Sequence, residues 1–455
     1  MSHLTPHQRY QVVHYIRDQF MKPTNPEYFS VDQRYLDSLP KGTQDGTDVP
    51  TVDRDFGPAL GSQLERRFRS VLTMKIGNNH SLCYDLHTMN QADLWSGGFL
   101  DLDDTQHIRD RGEGTAKARG QSVVDLQGWQ WGHDETFDYS RDGLLPRGPM
   151  PTRWMDYRGY YLHGDQVVLS YCIDGRDILE TVQAHAESNS IRHQLEIAPG
   201  KPLVLSVSQD NSTGLHQSGV VPSGQSRIQG KSGSATETLS VSAATVDQNL
   251  ARFTAAAVVG QTQSLTWSVD EQKRLVLNIP ASDDSVRFDV ICQSGDGSAA
   301  IELFGKRIQE ERLKTKLVSL QEMTRSGGRN WNTELRTVGS LGLQRGAYAL
   351  DTLTIPETTP WKTWFRTTAL DFLSDGRMVV TTYGGDVWIV SGIDNELMDL
   401  KWTRYAAGLY EPFGVKVVDD TIYVTCKDRI VRLHDQDKNG EADFYENFSP
   451  DTDVS

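Results

Sequence analysis

The sequence predicts a mainly β protein: a large β-sandwich followed by the first blades of a β-propeller, with a short N-terminal helix and one helix near 306–323. Three observations carry this. Apolar and polar residues alternate with period two in Val167/Leu169/Tyr171/Ile173, Leu203/Leu205/Val207, Phe253/Ala255/Ala257/Val259, Leu265/Trp267/Val269 and Val286/Phe288/Val290/Cys292, the pattern of strands with one buried face. Between Asp53 and about Glu180, aromatic residues are interleaved with glycine and tight-turn pairs such as Gly164-Asp165 and Asp174-Gly175, as short strands joined by hairpins require. Finally, Leu370 to Val380 and Gly385 to Val390 recur as Val415 to Val424 and Lys427 to Val431. Subtracting matched positions (419 less 375, 430 less 389) gives 44 and 41 residues, the period of a four-stranded propeller blade.

Composition bounds the function. A chain of 455 residues with 37% hydrophobic content has material for large cores, and its length suggests about three domains. The 46 basic and 61 acidic residues leave a net charge of −15, which disfavours nucleic acid or an anionic membrane surface and suits a soluble protein or a cation binder. No run of about 18 apolar residues exists to span a membrane, and Met1-Ser-His-Leu-Thr-Pro-His lacks the basic and apolar regions of a signal peptide. Cys83, Cys172, Cys292 and Cys426 are far apart and form no CxxC or CxxCH, which excludes a zinc ribbon and covalently attached haem. Cys172, Cys292 and Cys426 sit in apolar or alternating runs and read as buried free thiols.

Taken in order, the chain opens with a helix over 1–24. Thr5 is its N-cap, Pro6 its first position, Gln8 completes the capping box and Pro23 ends it. Val12, Val13, Ile16 and Phe20 form its apolar stripe. Residues 25–52 are polar and proline-containing, a linker. Residues 53–325 read as one sandwich, with two smaller sandwiches as the alternative, interrupted by a long Ser/Gly/Gln-rich loop over Gln209 to Ser242. A helix from Lys306 to Met323 turns Ile308, Leu313, Leu317 and Leu320 inward. Residues 326–346 form a second linker and 347–455 an incomplete propeller of about two blades, which leaves a strand edge open.

The most specific motif lies in the second blade. Asp435-Gln-Asp437-Lys-Asn439-Gly440-Glu441-Ala-Asp443-Phe-Tyr-Glu446 places oxygen donors at positions 1, 3, 5, 9 and 12, glycine at 6 and a backbone carbonyl, that of Glu441, at 7. This is the twelve-residue calcium pattern. Its flank, Ile430 to His434, alternates as a strand instead of an EF-hand helix. The candidate metal ligands are therefore Asp435, Asp437, Asn439, Glu441, Asp443 and Glu446, with an acidic turn that binds nothing as the alternative. No catalytic set stands out. Arg366, Asp371, Tyr383, Glu411 and Arg429 fall near blade turns, and His163 with Asp165 and His87 with Asp85 are spaced as acid/base pairs. Trp129/Trp131, Trp361/Trp364 and Tyr160/Tyr161 are paired aromatics of the kind that stack on sugars or fill cores.

Trp95-Ser-Gly-Gly-Phe-Leu-Asp-Leu, Arg111-Gly-Glu-Gly, Leu144-Leu-Pro-Arg-Gly-Pro, Gly159-Tyr-Tyr-Leu-His-Gly and Asp174-Gly-Arg-Asp-Ile-Leu-Glu-Thr together resemble a domain of unknown function from large exported proteins of planctomycete-type bacteria. Tyr348-Ala-Leu-Asp-Thr-Leu, Gly385-Asp-Val-Trp-Ile-Val and the acidic loop resemble the opening blades of the quinoprotein-dehydrogenase-like propeller that follows it in those proteins. The first helix is similar to the last helix of a cytochrome c domain, in which Met1 would match the axial haem ligand. The resemblance implies a periplasmic or extracellular piece of a longer protein that oxidises a sugar or alcohol and passes electrons to haem. Haem and pyrroloquinoline quinone belong to that parent and are not expected in this chain. The expected partners are a small carbohydrate or alcohol and the remainder of the parent. The alternative function is a non-catalytic carbohydrate-binding or scaffold protein. On this reading the chain alone is inactive, its sandwich folds independently, and Gly346 to Ser455 is its least stable part.

Overall fold

The computed structural model describes residues 11–23 except 14, and 54–450 except 104, 106, 108–113, 138–148, 186–189, 210–240, 244–251, 261–263, 273, 297–302, 309, 312–316, 326 and 344–345. Met1, the Thr5-Pro6-Gln8 start signal, the 25–52 linker, the motifs beginning at Arg111 and Leu144 and nearly all of the polar loop lie outside the described residues. The chain divides into two units, Met1–Asp48 and Val49–Ser455. In the first, the helix ends in a π turn, Arg17–Met21, with the Lys22 N–H donating to the Arg17 carbonyl at 2.8 Å. Its stripe residues Val12, Val13, Ile16 and Phe20 are exposed.

The second unit is mainly β, built from antiparallel sheets, as the alternation requires. A sheet of eleven strands runs from Val241–Ala243 through Arg252–Gly260, Val286–Asp296, Ser190–Ile197, Arg176–Ala184, Gln166–Ile173 and Met155–His163. It then continues through Phe444–Pro450, Arg429–His434, Thr421–Thr425 and Gly414–Val418. Two further sheets share its hydrophobic core. One has strands Thr266–Val269, Arg274–Ile279, Leu203–Gln209 and Gln130–Trp131; the other has Ala59–Leu64, Phe68–Lys75, His80–Asp85, Asn90–Ser96 and Gln121–Ser122. Leu205, Leu277, Tyr84, Leu94, Tyr171, Ile178 and Phe288 meet there fully buried. This is the sandwich, and the apolar faces of Gln166–Ile173, Leu203–Gln209 and Val286–Asp296 are the ones inside; on Arg252–Gly260 it is instead Ala256 and Val258 that reach this core, with Ala255, Ala257 and Val259 buried on the opposite face. All four cysteines are free and buried.

The repeat appears as two four-stranded meanders. Thr367–Phe372, Met378–Thr382, Val387–Ser391 and Leu400–Ala406 make the first; Gly414–Val418, Thr421–Thr425, Arg429–His434 and Phe444–Pro450 make the second. Their first strands are tied by Asp371, whose Oδ2 accepts from Lys416 Nζ and from the Val417 N–H, each at 2.8 Å. Each meander gains a fifth strand from elsewhere. Leu335–Thr337, within the stretch expected to be a linker, pairs with Leu400–Ala406. Two blades were expected to leave a strand edge open; Thr367–Phe372 and Gly414–Val418 are the terminal strands of their sheets, while Phe444–Pro450 pairs with Met155–His163 through Phe444↔Tyr161, Tyr445↔Tyr160 and Glu446↔Gly159. Gly159 is required at this seam: its φ is +127°, and a Cβ there would stand 2.1 Å from the Tyr445 carbonyl oxygen. Ring stacking seals the join, Tyr160 on Tyr445 at 4.6 Å and Tyr161 on Phe444 at 4.1 Å.

One predicted element is corrected. The helix expected from Lys306 to Met323 is not continuous, because residues 317–319 are non-helical and a new turn begins at Leu320–Met323. The cause is tertiary: Glu196 Oε2 accepts from the Leu320 N–H at 2.8 Å and from Ser319 Oγ at 3.0 Å. This holds Ser319 extended (φ −70°, ψ 128°) and starts the turn from outside it.

Two buried charges make the fold testable. Asp386 accepts from Arg404 Nη2 at 2.7 Å and lies 3.6 Å from Arg54 Nη2. Arg404→Met leaves that carboxylate poorly paired and should cost about 3–5 kcal/mol. In thermal denaturation the single change should be more damaging than the double change Arg404→Met/Asp386→Leu. Asp289, buried on Val286–Asp296, is pushed up to about 6 by burial, against the pull of Arg192. A carboxylate raised in the folded state favours folding at low pH and loses that contribution as pH rises from about 4 to 6. Asp289→Asn should therefore gain up to about 3 kcal/mol at pH 7, seen as a higher Tm than wild type, with the gap closing toward pH 4.

Candidate metal centre

Strand Arg429–His434 empties directly into the acidic loop, and strand Phe444–Pro450 takes the chain away from it. Both strand ends are held in the eleven-stranded sheet, so the loop is anchored at each side. Inside it the backbone folds on its own side chains. The Asn439 N–H donates to Asp435 Oδ1 at 3.0 Å, the Gly440 N–H to Asp435 Oδ2 at 2.8 Å, and the Gln436 N–H to both oxygens of Asp443. Gly440 adopts φ +90°, the left-handed turn that position 6 needs and that a side chain would strain.

The result is a convergence of Asp435, Asp437 and Asp443, each with a carboxylate oxygen within 4.8 Å of the others. Burial, with added repulsion from Asp437 and Asp435, pushes Asp443 up to about 6. Burial also raises Asp435. The donors are hard oxygens, a set that fits calcium or magnesium and not a thiolate- or imidazole-seeking metal.

The other predicted ligands fall in three places. Asn439 stays in the loop, its Oδ1 accepting from the Glu441 N–H at 2.9 Å. The Glu441 side chain turns inward and is buried, taking the Asn330 N–H at 2.8 Å, Asn330 Nδ2 at 3.0 Å and the Trp331 N–H at 3.0 Å. It thereby staples the loop to residues 330–331 and leaves only its carbonyl for position 7. Glu446 is placed on the following strand, where its carboxylate is held by Arg432 and by His434 Nε2 at 2.5 Å. Burial opposes its charge, but those two partners outweigh it and keep it below the usual range.

The remaining candidates are also placed. Tyr383 OH donates to Glu411 Oε2 at 3.2 Å, Lys427 Nζ donates to the same oxygen at 3.0 Å, and the Arg366 guanidinium lies 4.7 Å over the Tyr383 ring. Burial, with Glu411 beside it, pushes the Tyr383 hydroxyl up to about 12. Glu411 holds a left-handed φ of +41°, backbone strain of the kind that collects at functional positions. Asp371 is spent between the meanders. Arg429 is buried with Asp428 at 2.9 Å and with Ser70 Oγ. His163 Nδ1 meets the Arg325 carbonyl, not Asp165. Asp85 takes the His87 N–H and Thr88 Oγ1, closing a turn instead of orienting an imidazole. Trp129 and Trp131 are core residues, Trp129 stacked on His193 at 3.6 Å and Trp131 donating to Tyr171 OH at 3.1 Å.

Sequence reasoning missed a buried polar network between the sheets. Glu180 accepts from Tyr84 OH at 2.6 Å and Tyr171 OH at 2.5 Å, and His193 Nδ1 lies 2.8 Å away. Burial and the carboxylate together push both tyrosines well above their ordinary range. The only signal in the sequence was a glutamate on the apolar face of an alternating strand.

Residues 82–180 match the family of a domain of unknown function, DUF6797. The chain carries a DUF6797 domain. The motifs that begin at Trp95, Arg111, Leu144, Gly159 and Asp174 all start inside it. So do Tyr84, Tyr171 and Glu180, while His193 completes the network from outside. The DUF6797 segment begins within strand His80–Asp85 and ends within Arg176–Ala184; its sheets close only with strands that lie beyond it. No curated protein matches the chain.

Glu441→Ala removes the staple without touching the three clustered carboxylates. It strands three donors at residues 330–331 and should cost on the order of 2–3 kcal/mol, read as a lowered Tm together with a changed intrinsic tryptophan emission.

Proposed function

We propose that this protein is a calcium-stabilised β scaffold whose role is binding and not catalysis, and that Asp435, Asp437, Asp443, the Asn439 side chain and the Glu441 carbonyl supply the ion's oxygen ligands. The observation that carries this is the convergence of Asp435, Asp437 and Asp443 within 4.8 Å in a loop fixed at both ends. A divalent cation relieves their mutual repulsion and the desolvation of Asp443 together. The polar residues first in line for chemistry support the scaffold half of the reading. Asp371, Arg429 and Glu180 are each occupied by two or more structural partners.

Calcium at ten to a hundred times its Kd stabilises the folded state by about 1.4–2.7 kcal/mol. Ten millimolar calcium should accordingly raise the Tm of the chelator-treated protein by a few degrees. Asp437→Ala, at an exposed position, should abolish the rise while leaving the chelated Tm in place. A wild-type Tm indifferent to calcium would reduce the loop to a turn.

A second reading has one observation in its favour. The two meanders bring Arg366, Tyr383, Glu411 and Lys427 together at their turns, which is how a quinoprotein-like, extracytoplasmic sugar or alcohol dehydrogenase would begin its propeller. Dye reduction by the chain supplied with pyrroloquinoline quinone and calcium, across a panel of sugars and alcohols, decides between the two. Turnover above the cofactor-only background favours the dehydrogenase; none favours the scaffold.

A further inference from the structure

Four segments distant in sequence meet around a cleft of about 590 Å³: the stretch from Asp55, the end of strand Phe68–Lys75, the 163–166 hairpin with the end of strand Arg176–Ala184, and residues 330–331. That volume lies in the range of small-molecule sites. Asp55, Lys75, Asp165, Gln166, Gln183 and Asn330 line it, two carboxylates, one ammonium and three amides. None of these belongs to the acidic loop or to the Tyr383 cluster.

We propose that this cleft binds a neutral, polyhydroxylated ligand, an oligosaccharide. Vicinal hydroxyls donate and accept at once, and carboxylates and amides answer them in pairs. Buried Val167 and Val182 supply apolar surface in the same cleft for the C–H faces of a sugar ring. The two carboxylates are matched by Lys75 and by Arg404, which lies 3.6 Å from Asp55 Oδ2, so the surroundings of the cleft carry no excess charge and suit a neutral ligand. Lys75 is poised for this role. Its Nζ lies 4.0 Å from Asp55 Oδ1, beyond hydrogen-bond length, and 5.2 Å over the Phe99 ring. Burial lowers its pKa in spite of Asp55 and Asp165.

The wall is preformed. Asn330 is oriented by Glu441, and Asp55 by the Gly57 N–H at 2.8 Å and Trp331 Nε1 at 3.2 Å. The hairpin residues Asp165 and Gln166 complete the rim and are the ones to change, since Asp165 is exposed and Gln166 only half-buried.

The test is isothermal titration of the full chain with cellohexaose, xylohexaose, maltohexaose and mannohexaose, and with hexagalacturonate as the anionic control. Each titration is run in chelator and again in calcium, so that the cleft is judged apart from the loop. At least one neutral hexasaccharide should bind. Asp165→Ala/Gln166→Ala should weaken that binding at least tenfold, with an unchanged Tm showing that the fold is intact. Binding by none of the neutral sugars, binding by hexagalacturonate alone, or a neutral sugar bound equally well by the double variant would each overturn the proposal.

Discussion

The structure depends on one buried carboxylate. Asp386 sits in the turn before strand Val387–Ser391 at 1% exposure, with Arg404 on one side and Arg54 on the other. Arg404 also donates to the Asp55 carbonyl at 2.7 Å and lies under Trp331, 4.7 Å from that ring. Arg54 reaches across to the His107 and Gly384 carbonyls at 2.7 and 3.0 Å. Burial pulls Arg54 down to about 10, yet it stays charged at neutral pH. Such a cluster adds little stability over a well-packed apolar one, but any arrangement that breaks it strands a charge in the core. It therefore specifies how the first meander docks on the segment that leads into the sandwich.

The second meander is specified in the same currency. Asp428, Arg429 and Ser70 form a buried chain of contacts between the second meander and the five-stranded sheet that holds Phe68–Lys75, and Asn447 Nδ2 donates to the Tyr157 carbonyl at 2.7 Å. With the Phe444–Pro450 pairing, these contacts make the sandwich and the meander one hydrogen-bonded sheet. Unfolding the C-terminal region alone would expose Asp428 and Arg429, the Tyr160/Tyr445 stack and an edge of Met155–His163 together.

Glu441 links the acidic loop and the cleft. Its carbonyl belongs to the acidic loop, and its carboxylate sets Asn330 and Trp331, which wall the cleft. An ion bound in the loop would therefore also bear on one wall of the cleft, and such a coupling is reciprocal.

What the sequence determined by itself was local. The strands were legible because alternation reports which face is buried. The two meanders were legible because their repeat is internal, and the acidic loop because Asp435 to Asp443 spans only nine residues and its backbone bonds close within it. The tertiary structure decided every partner. Glu446 completed the calcium pattern on paper, but Arg432 and His434 on the neighbouring strand claimed its carboxylate. The helix expected over 306–323 had the right periodicity, and Glu196 on a sandwich strand interrupted it. The cleft joins Asp55, Lys75, Asp165 and Asn330, which share no spacing along the chain. Periodicity and spacing encode interactions a few residues long, whereas these contacts span from 12 residues, for His434 and Glu446, to 124, for Glu196 and Leu320, and are chosen by which faces and charges the packed sheets bring together.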